Sequence, residues 1–127
     1  MVRETISHED GTIYEFGPDL GPVYIAADGE SLTIETRDSL DGAVQTESDL
    51  LASVPEEVNA ATGPIAIEGA TPGDILRVDI DEVRVAEEHG RVVTVPDFGL
   101  LHEDDDIEEP RSRITPVEDD TIGFGDL

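Results

Sequence analysis

No stretch of this chain carries helix-period apolar patterning of ordinary length. Its apolar residues fall instead at every second position in short runs, separated by turns rich in glycine and proline. Period two marks a half-buried strand, because successive side chains leave a pleated backbone on opposite faces. The chain is therefore confined to an all-β fold, read here as an antiparallel β-sandwich or barrel-like domain with at most one or two short helices. Its 127 residues are enough for one hydrophobic core and too few for two comfortable ones, so residues 1–127 are taken as a single β-rich domain.

The first stretch mixes acids with Ile6, Ile13, Tyr14 and Phe16, and His8 falls in the polar SHEDG cluster, where it reads as a solvated loop residue. FGPDLGP, residues 16 to 22, is a turn. PVYIAA and ESLTIET are two strands around Asp28-Gly29, which predicts a hairpin. In the loop that follows, Ser48 is placed to cap a helix of one or two turns over residues 49 to 53, stopped by Pro55.

The densest patterning lies between Val58 and Asp81. Asn59 to Pro64 is a polar, turn-forming loop; Ile65 and Ile67 alternate around Ala66; Pro72-Gly73 fits a type II turn. Leu76, Val78 and Ile80 then face one way and Arg77, Asp79 and Asp81 the other, and a bulge at Asp81-Glu82 carries the strand on to Val83 and Val85. Further strands are expected at Arg91 to Val95 and over ITPV, residues 114 to 117. His89 belongs to the turn AEEHG, PDFGLL is expected to bury Phe98 with Leu100 or Leu101, and His102 opens an acidic loop.

Thirty-two acidic residues stand against seven basic ones, all arginine, for a net charge of −25. That charge repels nucleic-acid phosphates and anionic membrane surfaces and excludes both as partners. Carboxylates dispersed along the chain without lysine suit a halophile's surface, where molar salt shortens the Debye length to about 3 Å. Cysteine is absent, which removes disulfides, thiolate nucleophiles and cysteine-type zinc sites. No apolar run approaches the ~20 residues of a membrane helix, and no signal-peptide segment opens the chain. A cytoplasmic location is the expectation.

Chemistry narrows by exclusion. Without lysine or cysteine the chain cannot supply a Cys-Glu-Lys or Ser-Ser-Lys amidase constellation. It has no GxSxG elbow, no phosphate-binding glycine motif and no closely spaced histidine pair. Metal-assisted hydrolysis stays open: Asp38 and Asp41 lie three apart in a loop after a strand, where two carboxylates can approach one cation. In a chain this acidic, two surface aspartates at that spacing are expected by chance.

Asn59-Ala60-Ala61-Thr62-Gly63-Pro64, the strand Ile65-Ala66-Ile67, and Glu68-Gly69-Ala70-Thr71-Pro72-Gly73-Asp74 follow one another as an N-P-x-T-G-P, strand, E-G-A-x-P-G-D series. This resembles the acetamidase/formamidase family, as do IETRDSLDG at residues 34 to 42 and DFGLL at residues 97 to 101. The resemblance implies a β-rich fold, hydrolysis of short amides such as formamide or acetamide to carboxylate and ammonia, and a divalent metal, zinc or calcium, in the site. It makes Asp38 a metal ligand or active-site carboxylate and places Asn59 and Thr62 in the pocket lining. The family's proline stands here as Ala60 and a glutamine after its aspartate loop as Ala43. Family members run to about twice this length, beyond the usual single-domain size, and their C-terminal half carries histidine- and glutamate-bearing motifs without counterpart here. The chain thus corresponds to an N-terminal portion whose partner is a C-terminal half or another copy, as a homo-oligomer. A non-catalytic binding or assembly module derived from the same fold is the alternative.

Overall fold

The computed structural model describes residues 2–126. Among them there are strands and turns and no helix, so none is long and apolar enough to cross a membrane. The all-β expectation holds. By contact the chain divides into two compact units, residues 1–41 with 57–78 and residues 42–56 with 79–127.

The first unit holds β1 (Glu4–Ile6), β2 (Thr12–Ile13), β3 (Tyr24–Ala26), β4 (Leu32–Ile34), β5 (Ala61–Thr62) and β6 (Ile65–Ile67). Each of the first three pairs with the strand three places later: β1 with β4 and β3 with β6 in parallel, β2 with β5 antiparallel. Ile6 and Ala26, each at the end of its strand, are buried. Backbone bonds extend the ladders beyond the strands, from Glu35 N to Ile6 O at 3.0 Å and from Glu68 N to Ala26 O at 2.8 Å.

The hairpin expected at Asp28-Gly29 does not form: β3 and β4 flank that turn but pair with β6 and β1. The turn itself closes, with Glu30 N donating to Ala27 O at 3.1 Å, but only Gly29 has a positive φ, of 80°. Turns of the ordinary hand splay their flanking strands, whereas the primed turns that match strand twist need positive φ at the first central residue. Glu30 also accepts from the Ala27 amide and from the Tyr24 hydroxyl, at 2.8 and 2.6 Å, so the turn is tied down by a side chain.

Two turns follow β6 in succession. Ala70 N donates to Ile67 O at 3.2 Å, and Asp74 N to Thr71 O at 3.1 Å across the Pro72-Gly73 turn, where Gly73 takes the positive φ of 101° that a type II turn requires. Beyond it the expected strand is not assigned: no strand lies between Ile67 and His89. The apolar alternation is present, but Ile75, Leu76, Val78, Ile80, Val83 and Val85 are all exposed. The pattern specifies a face, and among the described residues no strand pairs with it.

The second unit is organised on β7 (His89–Thr94), β8 (Arg111–Glu118) and β9 (Thr121–Ile122), an antiparallel three-stranded sheet in the order β7-β8-β9. Both late strands expected from the sequence are present, and His89 is the exposed first residue of β7, not a turn residue. Thr115 and Val95 are buried, as is Val44 from the 42–56 segment. Ser112 Oγ fastens that segment by donating to Asp49 O at 2.5 Å. The helix expected over residues 49 to 53 does not form; the chain instead turns over residues 46 to 49, where Asp49 N donates to Thr46 O at 3.1 Å and the Asp49 carboxylate accepts from the Gln45 and Thr46 amides at 2.9 and 2.8 Å. A side chain bonded back to preceding amides stabilises a turn in place of a helix start. Phe98, Leu100 and Leu101, expected to be buried, are exposed on an irregular loop in which Asp97 and Gly99 both have positive φ.

Candidate active site

In the first unit the loop after β4 and the segment entering β5 lie side by side. Asn59 N donates to Ser39 O at 2.8 Å, and Thr62 Oγ1 donates to Glu35 O at 2.6 Å. Asp38 sits between those two anchor points in sequence and is half-buried. Asp41 N closes the loop on Asp38 O at 2.9 Å. The structure thus brings the backbone segment that carries Asp38 beside the one that carries Asn59 and Thr62, more than twenty residues later in sequence.

The opposite flank is the turn before β2. Gly63 N donates to Gly11 O at 3.1 Å, Val23 N to Pro64 O at 2.9 Å, and Thr12 lies directly across from Thr62 in the β2–β5 ladder. Gly11 has no room for a side chain: an added Cβ would strike Val23 and sit 2.8 Å from Gly63 O. His8 begins this turn and is half-buried, with a buried Nδ1 that has no hydrogen-bond partner among the described residues. The polar neighbours of His8 in sequence predict a solvated residue, whereas its ring is half-buried. Thr12 Oγ1 donates to the His8 carbonyl at 2.7 Å and fixes the turn.

Side-chain roles differ among the three. Thr62 commits its hydroxyl hydrogen to Glu35 O, so it locks the segment in place. Asn59 is exposed and adopts a positive φ of 59°, a conformation that asparagine tolerates better than most side chains. Asp41 shares that region at 54° and pairs with Arg37. Arg37 was missed as a member of the cluster; its signal was its place four residues before Asp41 in an otherwise anionic loop.

These residues do not make a divalent-cation site by themselves. Among the described residues no three histidine, aspartate or glutamate side chains gather where they could hold a metal. Calcium takes 6–8 oxygen ligands and structural zinc four. Asp41, three residues after Asp38, already faces a guanidinium.

Comparison with known proteins gives these observations a context. The acetamidase of Bacillus halodurans is similar in structure, with a TM-score of 0.76 and 26% identity over 96% of this chain and 40% of its own. A predicted acetamidase/formamidase from the thermophile Thermoanaerobacter tengcongensis gives a TM-score of 0.85 and 30% identity over 98% of this chain and 40% of its own. The acetamidase of Yersinia enterocolitica, at 23% identity, shares the fold, with a TM-score of 0.70 over 95% of this chain and 40% of its own. The chain therefore spans about 40% of the length of the solved structures it matches. No curated protein matches it. The sequence pattern of the acetamidase/formamidase family fits residues 2–122, nearly the whole chain. On that match, and on a loop arrangement that joins the motifs, this chain belongs to the acetamidase/formamidase family.

Proposed function

We propose that the chain forms part of an amidase that hydrolyses short aliphatic amides, formamide and acetamide among them, to a carboxylate and ammonia. Family membership supports the reaction class. The observation that carries the reading for this chain is the pair of hydrogen bonds, Asn59 N to Ser39 O and Thr62 Oγ1 to Glu35 O, that hold the Asp38 loop against the Asn59–Thr62 segment.

In this reading the Asp38 carboxylate orients and deprotonates the attacking water, as a general base must from hydrogen-bond reach. The Asn59 side-chain amide donates to the substrate oxygen, which gains negative charge as the tetrahedral intermediate forms. Thr62 is a positioning residue. Activation of the water by a zinc or calcium ion calls for ligands beyond the single carboxylate, Asp38, that this chain offers. Those ligands belong to the larger polypeptide that family members of full length possess, supplied by a C-terminal partner segment.

The test is ammonia release from formamide and acetamide in molar KCl, by the chain alone and mixed with a polypeptide covering the remainder of a family-length protein. Release is expected in the mixture, and Asp38→Ala should lower it by at least about a hundredfold, the low end of a general base's contribution. Unchanged turnover in Asp38→Ala removes that residue from the site. Absence of turnover on every short amide, with the mixed complex shown to assemble, favours the assembly-module reading.

A further inference from the structure

We propose that His8 donates a hydrogen bond from Nε2 to the carbonyl oxygen of the amide substrate, as a second donor beside Asn59. The inference rests on the amidase reading and adds a residue to that site.

Backbone pairing sets His8 at the same end of the first unit as the Asp38 loop. β1 and β4 run parallel with Ile6 opposite Ile34, so both strands leave their ladder at one end. The turn that carries His8 follows the first, and the Asp38 loop follows the second. Glu35 N donates to Ile6 O at 3.0 Å and keeps the two exits together. The Glu35 carbonyl accepts from Thr62 Oγ1, Thr62 faces Thr12 across the β2–β5 ladder, and Thr12 Oγ1 donates to His8 O. Ile6, Glu35, Thr62, Thr12 and His8 thus close a circuit, and Asn59 is fastened beside it through Ser39. The turn under His8 is itself locked, with Asp10 N donating to Ser7 O at 3.0 Å and Ser7 N to the Asp10 carboxylate at 2.8 Å.

The two ring nitrogens of His8 have different surroundings. Nδ1 is sealed and has no hydrogen-bond partner among the described residues. The residue as a whole is only half-buried, so Nε2 is the nitrogen that solvent or a ligand reaches. A neutral imidazole carries its proton on one nitrogen or the other. On Nδ1 it would make a buried N–H without an acceptor, the rarer and costlier kind of orphan. The proton therefore sits on Nε2, and His8 offers a ligand a neutral donor there. Such a donor suits an oxygen that gains negative charge as a tetrahedral intermediate forms, and a neutral imidazole can polarise a carbonyl in this way. A histidine kept only for packing gains nothing from an unpaired buried nitrogen.

The tautomer is measured on the chain alone, by long-range proton–nitrogen NMR in molar KCl and mildly alkaline buffer, where histidine is ordinarily neutral. His8, assigned by the loss of its signals in His8→Gln, should show Nε2 protonated and Nδ1 bare; a proton on Nδ1 overturns the proposal. Kinetics use the chain mixed with a polypeptide covering the remainder of a family-length protein. His8→Leu should lower kcat on acetamide by about 10²–10³-fold, the usual loss for one oxyanion donor, with KM changed little. His8→Leu should melt no lower than the wild type, because it deletes an unpaired buried nitrogen. His8→Gln, whose side-chain amide sets a donor close to the Nε2 position, should stay within about tenfold of the wild type. Unchanged turnover in His8→Leu overturns the proposal, as does equal loss in His8→Leu and His8→Gln. Absence of turnover in the assembled wild-type complex sinks this inference together with the amidase reading, whereas wild-type turnover with an indifferent His8→Leu sinks this one alone.

Discussion

Thr62 shows how one hydroxyl can organise a site without taking part in its chemistry. Its hydrogen bond to Glu35 O crosses from one motif to the other, so Thr62→Val should cost about 1 kcal/mol, the usual net worth of such a bond. Chemical denaturation would measure the loss, and an unchanged midpoint would remove Thr62 from its positioning role. Gly11→Ala should cost about 1–3 kcal/mol, because the added methyl must displace Val23 or the Gly63 carbonyl. Tyr24 and Glu30 respond to pH in opposite ways. Their shared hydrogen bond pushes the Tyr24 hydroxyl up to about 12 and holds the Glu30 carboxyl below its usual value. The Glu30 contribution is therefore present above its unfolded pKa and lost as the pH falls through the lowered folded value. The Tyr24 contribution is present below its unfolded pKa of about 10 and lost as the pH rises through the raised one. Near-ultraviolet absorbance should show one phenol titrating near 12, and Tyr24→Phe should remove that step. The family motifs that carry Asp38, Asn59 and Thr62 were legible in the chain, and the Arg37–Asp41 pair was open to reading from its spacing of four; the burial of the His8 ring nitrogen was not, since burial arises from the fold.

At the level of elements, strand positions were legible and strand partners were not. Period-two runs located the strands at residues 24–26, 32–34 and 65–67 and, in part, those at 89–94 and 111–118, but they also marked a strand after Pro72-Gly73 that is not assigned. Pairing depends on turn handedness, which Asp-Gly alone does not specify. The hairpin that does form around a two-residue turn is β8–β9, where Asp119 and Asp120 have φ of 48° and 60° and Glu118 faces Thr121. Positive φ at both central residues is the primed-turn geometry that keeps paired strands together, and aspartate is one of the side chains that enters it readily. Asp120→Val should destabilise by about 1–2 kcal/mol because a β-branched residue is strained there, with Asp120→Gly close to neutral. Thermal melts of the two variants side by side make the comparison, and equal melting would rule out a conformational origin. Turn reading succeeded at Pro72-Gly73 because proline and glycine each impose one angle of that turn.

Over the whole molecule the charge dominates. With thirty-two acidic residues against seven arginines, the excess carboxylates repel one another at low ionic strength and are screened over about 3 Å in molar salt. The melting temperature should therefore rise between millimolar and molar KCl, by on the order of 10 °C, or about 2 kcal/mol for a domain of this size. Identical melting in both buffers would contradict a halophilic adaptation. The interlocked order of the first unit, in which β1, β2 and β3 await β4, β5 and β6, has a consequence for biosynthesis. Its partners lie roughly 30 to 50 residues apart, and such distant contacts form late and slowly. The ladders can close in full only after Ile67 has left the ribosome, so the nascent chain carries Ile6 and Ala26 unsheltered for much of its own synthesis.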